Sequence, residues 1–152
     1  MKTILVPLDF SDSSNLLLDQ AAALARPLGA RLILLHVVEP VANYVPVGAT
    51  MDVIAAVAPL VESSEGLAVQ EKHLRILGEP LRASGLEVEE TALIGLAVDD
   101  IVDQAAKRQA DYIVLGSHGH GALYHLFSGS VVTGVLRRAP CPVVIVPAKK
   151  DG

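Results

Sequence analysis

The stretch GSHGHGALYHLFSGS, residues 116–130, follows the apolar run DYIVL and holds four glycines, three histidines and three serines, with no lysine or arginine. Chemistry at such a loop rests on backbone and hydroxyl groups rather than on side-chain charge. SVVTGVLRR, residues 130–138, is expected to start a helix with Ser130 as its cap. A helix start presents unpaired N–H groups and the positive end of the peptide dipoles, which attract phosphate without a lysine. Three or four charge-assisted hydrogen bonds of about 1.5 to 3 kcal/mol each support micromolar binding, about −8 kcal/mol, once association costs are met. Gly116, Gly119 and Gly129 let the backbone approach an anion closely or take a positive φ. The familiar phosphate motifs are absent: no Gly-Lys pair occurs in the chain, and Tyr124 stands where G-x-G-x-x-G needs its last glycine. On glycine content alone, a plain flexible loop is as good a reading as a phosphate cradle. A second concentration of chemistry is PLDFSDSS, residues 7–14, with the carboxylate of Asp9 and several hydroxyls.

These two stretches need a scaffold that brings them together. TILVPL (3–8), RLILLHVV (31–38), DYIVLG (111–116) and CPVVIVP (141–147) are short runs of Val, Ile and Leu bounded by turn residues, and read as strands buried on both faces. LEVEETAL (86–93) alternates and reads as a half-exposed strand at a sheet edge. Leu17, Ala21, Leu24 and Leu28 recur at helical spacing between the SDSS start signal and Gly29. Leu60, Leu67, Leu74 and Leu81, with Leu77, make one apolar stripe on a single long helix, started at Pro59 and loosened at Pro80. Val98, Ile101, Val102 and Ala105 form the next helix face. Alternation of strands and helices predicts an α/β fold with a parallel sheet, right-handed crossovers and helices on both faces. In such a sheet a ligand sits beyond the carboxyl ends of the strands, where Asp9 and the 116–130 loop both fall. The irregular stretch 39–52 reads as a mobile surface loop first, and as a lid or partner contact second.

Bulk properties narrow the function. At 152 residues the chain suits one domain, residues 1–152. Its apolar runs fall well short of the roughly 20 residues of a membrane span, and MKTILVPLDF lacks the features of a signal peptide, so a cytoplasmic location is expected. A formal charge of −5, scattered basic residues and few aromatics argue against nucleic acid as a partner. The single cysteine, Cys141, is expected to be a buried small hydrophobe. His118, His120 and His125 make only a weak ligand pattern, so no metal is expected, and His36 and His73 are expected to be structural. If His118 or His120 touches a phosphate, binding should tighten as pH falls from about 7.5 to 6.

The spacing Gly116, two residues, Gly119, nine residues, Gly129-Ser130 resembles the ATP-binding signature of the universal stress protein family. ILVPLDFSDSS, LILLHVVEP, DDIVDQAAKRQADYIVLGSHG and GSVVTGVLRRAPCPVVIVP resemble the family's segments in the same order. The resemblance implies a doubly wound, open, five-stranded parallel sheet of order 3-2-1-4-5, similar to the adenine nucleotide alpha hydrolase-like folds. It also implies a site. Pro7, Leu8 and Asp9 border the adenosine, with Asp9 on ribose hydroxyls or adenine edges, and Val38 offers an adenine-facing backbone. Leu115, Gly116, Ser117, His118, Gly119 and His120 wrap ribose and phosphates, and Gly129, Ser130, Val131 and Val132 hold phosphates at the helix start. His120 and Val132 depart from the family's usual Lys or Arg and hydroxyl, so the pocket is expected to favour AMP or ADP over ATP, or to depend on Mg²⁺. The implied protein is a homodimer joined through the last strand, residues 141–147, since a bare apolar edge invites association. Its implied role is an ATP- or AMP-binding regulator of the stress response with an unidentified protein partner. The alternatives are a slow ATPase or nucleotide hydrolase, and a nucleotide-free adaptor. Hydrolysis is disfavoured because no acidic residue lies between 112 and 150, so no general base stands beside the phosphates; weak turnover is left open.

Overall fold

Residues 3–6 and 32–35 are buried without a break, which requires a sheet covered on both faces. The computed structural model describes residues 1–44, 47–117 and 124–148. Among them β1 (Thr3–Pro7), β2 (Arg31–Val38), β3 (Val88–Ile94), β4 (Tyr112–Gly116) and β5 (Val143–Val146) form one sheet. Every pairing is parallel and the order is β3-β2-β1-β4-β5, the doubly wound order that the resemblance implies.

The pleat sorts the strand residues between two cores. Ile4, Val6, Leu32, Leu34 and Val114 face α1 (Ser14–Leu28) and α3 (Ser64–Ala83), against Leu17, Leu18, Ala21, Leu74 and Leu81. Leu5, Ile33, Leu35, Ile113 and Leu115 face α4 (Ala97–Lys107) and α5 (Tyr124–Arg138), against Ile101, Ala105 and Val135. Each buried Leu or Ile contributes about 1.5 to 3 kcal/mol, so the two cores dominate the fold's stability. Polar ties set the register at the amino end of β1: Thr3 N–H donates to Asp111 Oδ2 (2.8 Å) and Arg31 Nε–H to Thr3 Oγ1 (3.0 Å). The Thr3 N–H, and then Lys2, hold the Asp111 carboxyl below its ordinary pKa.

Four expectations need correction. The segment from Met51 to Ala83 is two helices, α2 (Met51–Val61) and α3, rather than one. Ser63 has extended backbone and its Oγ accepts Gly66 N–H at 3.1 Å, which starts a new helix after Val61. Pro59 therefore lies inside α2, and Leu60 is 73% exposed instead of part of the stripe. The stretch 39–52 is not irregular throughout: residues 41–44 form a 3₁₀ turn, and Met51 already belongs to α2. Helix α5 begins at Tyr124, so Ser130 is an interior position and not the cap; the 124–128 segment has no glycine or proline to stop the helix, and Gly129 inside it costs only about 1 kcal/mol. Cys141 is half-buried, packed at the margin of the second core, and its thiol is pushed up by burial first and Asp111 second.

Candidate functional site

The chain winds outward from β1 to β2 and β3, then returns past β1 to β4 and β5. Connections therefore diverge beyond the carboxyl ends of β1 and β4, which opens a crevice. A cavity of about 610 Å³ fills it, within the usual size range of small-molecule sites.

The residues after Pro7 shape the β1 side. Leu8 N–H donates to Leu35 O (2.8 Å), holding the chain against β2 for one more residue. Asp9 Oδ1 accepts Ser11 N–H (3.0 Å), an Asx-type turn that aims the chain into α1. Asp9 is thus both the turn carboxylate and a cavity-lining group. Between them Phe10 takes φ 58°, a left-handed conformation that costs a non-glycine residue on the order of 1 to 2 kcal/mol. Its ring stacks on His73 (centroids 4.0 Å, 11° between planes) and lies tilted over His36 (4.2 Å), so packing offsets the strain. His36 Nδ1–H donates to Leu8 O at 2.7 Å. Burial lowers the His36 pKa; the Leu8 bond and the Asp9 charge oppose this, and His73 adds to it. The expected structural role of His36 holds, and it lines the cavity as well.

Helix α1 starts at the cavity with Ser13 and Ser14, both lining residues. On the β4 side Gly116 and Ser117 line the cavity; Ser117 N–H donates to Val146 O (2.9 Å) and Ser117 Oγ accepts Ala148 N–H (3.2 Å). Val41, Val61 and Gln70 line it from the 3₁₀ turn, α2 and α3, and Glu62 Oε1 ties them by accepting Val41 N–H at 2.5 Å. No lysine or arginine occurs among the described lining residues; the carboxylates are Asp9 and Glu39, and Glu39 Oε1 also accepts Ala97 N–H at 3.3 Å. Leu17, Leu35, Val38, Ile101 and Leu115 supply apolar walls. Such a slot suits a flat apolar ring flanked by groups that hydrogen-bond through hydroxyls and backbone.

Of the expected site residues, Pro7, Leu8, Asp9, Val38, Leu115, Gly116, Ser117, Val131 and Val132 all line this one cavity. Gly129 and Ser130 fall in α5 just before Val131. His118, Gly119 and His120 lie outside the described residues, as does the pH dependence expected of the two histidines. Sequence reasoning missed Ser14, Val41, Val61 and Gln70. Gln70 carried a signal, since it stands between Leu67 and Leu74 on the apolar stripe, where a polar residue calls for a reason.

The sequence profile of the Universal stress protein family matches residues 1–147. A Thermus aquaticus protein described as "Universal stress protein in QAH/OAS sulfhydrylase 3'region" is 33% identical over 146 residues, 95% of this chain and 98% of its own length. A universal stress protein solved in complex with cAMP superposes with a TM-score of 0.68 at 27% identity, covering 97% of this chain and 98% of that one. One from Archaeoglobus fulgidus in complex with dAMP superposes with a TM-score of 0.57 at 26% identity, covering 95% and 97%.

Proposed function

The chain belongs to the universal stress protein family, and from that premise we propose that it binds an adenine nucleotide in the cavity between β1 and β4 and acts as a dimeric regulator of the stress response. The observation that carries this reading is the convergence of nine expected nucleotide-contacting residues on one cavity of nucleotide size. The cAMP and dAMP complexes of related proteins support it. The residues present fit the ligand's chemistry. Leu17, Val38 and Ile101 offer an apolar slot for a purine, Asp9 and the α1 serines offer hydrogen-bonding groups for a sugar, and Gly116, Ser117, Val131 and Val132 border a phosphate end.

Regulation rather than hydrolysis is our reading. No Asp or Glu occurs between residues 112 and 150, so β4, the loop after it and α5 bring no carboxylate to activate water at a phosphate bound there. Dimerisation through β5 completes the proposal. Among the described strands β5 has β4 as its one neighbour, and an apolar depression lined by Leu24, Val144, Ile145 and Pro147 lies between it and α1. An apolar edge of this kind favours pairing with a second copy.

Calorimetric titration with AMP and ATP, each with and without Mg²⁺, tests the binding reading. Micromolar binding is expected, with AMP at least as tight as ATP and about tenfold weakened by Asp9→Ala. Absence of binding to any of them overturns it, and rapid phosphate release from ATP overturns the non-enzymatic reading.

A further inference from the structure

Gln70 stands on α3 between Leu67 and Leu74, three residues after one and four before the other, so the three side chains share a helix face. Both leucines pack into the first core, and Leu74 is fully buried. An amide on such a face needs a reason, because a buried polar group without partners costs desolvation that is not repaid. Gln70 makes no hydrogen bond among the described residues. It is half-buried and borders the cavity, so its amide is open to a ligand rather than sealed in the core.

The topology sets which part of the cavity it reaches. β2 ends at Val38 and the parallel β3 begins at Val88, so the segment between them must return from the carboxyl ends of the strands to the amino ends. α3 makes that return over β2 and β3, where a Cβ on Gly78 would meet Glu90, Val88 and Leu34. Its early turns, Gln70 among them, therefore stand at the carboxyl ends, on the β2 side of β1; β4 with Gly116 lies on the other side. One turn later on α3, His73 stacks on Phe10 just after β1. With the phosphate end at Gly116 and Ser117, Gln70 faces the base. It is the one amide side chain among the described lining residues. An amide holds an acceptor beside a donor, and adenine presents the converse pair, its 6-amino donor beside a ring-nitrogen acceptor. A phosphate oxygen only accepts and would leave the amide oxygen unused.

Resting on the nucleotide reading above, we infer that the Gln70 amide recognises the base of the bound nucleotide: its oxygen accepts from the 6-amino group and its NH₂ donates to the ring nitrogen beside it. Preference for a 6-amino purine then depends on a side chain of α3.

The test is calorimetric titration of wild type, Gln70→Met and Gln70→Leu with AMP and with purine riboside 5′-monophosphate, which lacks only the 6-amino group. Met and Leu are helix formers as good as Gln, and thermal melts confirm that each variant is folded. Wild type is expected to bind AMP about 3- to 10-fold more tightly than the analogue, the worth of one hydrogen bond. In both variants that preference should fall to within about twofold, with AMP weakened more than the analogue. Equal binding of the two ligands by wild type overturns the assignment without recourse to a variant. So does a preference that survives in a folded variant, or equal weakening of both ligands, which would put Gln70 on the sugar or phosphate. In each of these cases AMP still binds and the nucleotide reading stands. If wild type binds neither ligand, that reading itself fails, and this one with it.

Discussion

A carbonyl oxygen only accepts, so the 2.7 Å contact between His36 Nδ1 and Leu8 O places the imidazole proton on Nδ1 and leaves Nε2 as an acceptor. Burial holds the folded-state pKa of His36 below its ordinary value of 6.5. The unfolded chain therefore binds this proton first as pH falls, and stability present above about 6.5 is lost as pH drops through the folded-state value. Urea midpoints at pH 7.5 and 5.5 should show a smaller acid loss in His36→Gln than in wild type; an identical loss would mean that His36 keeps an ordinary pKa. The residue-level site was legible where chemistry sits at a strand end. Asp9 could be assigned from its place after β1 alone, because parallel sheets gather ligands at carboxyl ends. Which of the SDSS hydroxyls line the cavity could not, since the same stretch reads equally well as a helix start, and only the fold shows Ser13 and Ser14 on the cavity wall.

Among the elements, the corner between α2 and α3 governs the roof of the cavity. A Cβ on Gly66 would lie 2.5 Å from Val61 O and 2.7 Å from Leu60 O, backbone atoms that cannot rotate away. Gly66→Ala should therefore destabilise by about 2 kcal/mol even though alanine is the better helix former by about 1. Ser63→Ala removes the cap bond and should cost about 1 kcal/mol. Urea unfolding measures both, and a stabilised Gly66→Ala would show that the corner opens freely. This corner was hidden by the leucines, whose seven-residue spacing runs straight across it although Leu60 points into solvent. The start of α5 was missed for the converse reason, since Gly129-Ser130 looks like a boundary while the upstream residues propagate the helix. The strands were read within one or two residues; β1, β2 and β4, buried on both faces, are unbroken apolar runs that need no register to be seen, and the half-buried edge strands β3 and β5 were marked by alternation and by flanking prolines.

For the whole molecule, the edge at β5 sets the expected assembly. Val144→Lys places a charge in the middle of that strand and should convert a dimer to monomer in sedimentation velocity; an unchanged dimer would move the interface elsewhere. The order of the sheet was legible through the family resemblance, since apolar runs alone do not say which strand is central. That centre has a consequence for how the protein is made. β1 is the earliest strand of the described chain, yet one of its neighbours is β2, paired from Thr3 to Arg31, and the other is β4, paired from Ile4 to Tyr112. At about 5 to 20 residues per second, a ribosome leaves one side of β1 bare for roughly 5 to 20 s. The middle of the sheet is begun first and closed late, and through that interval the nascent chain carries an open apolar flank for chaperones to guard.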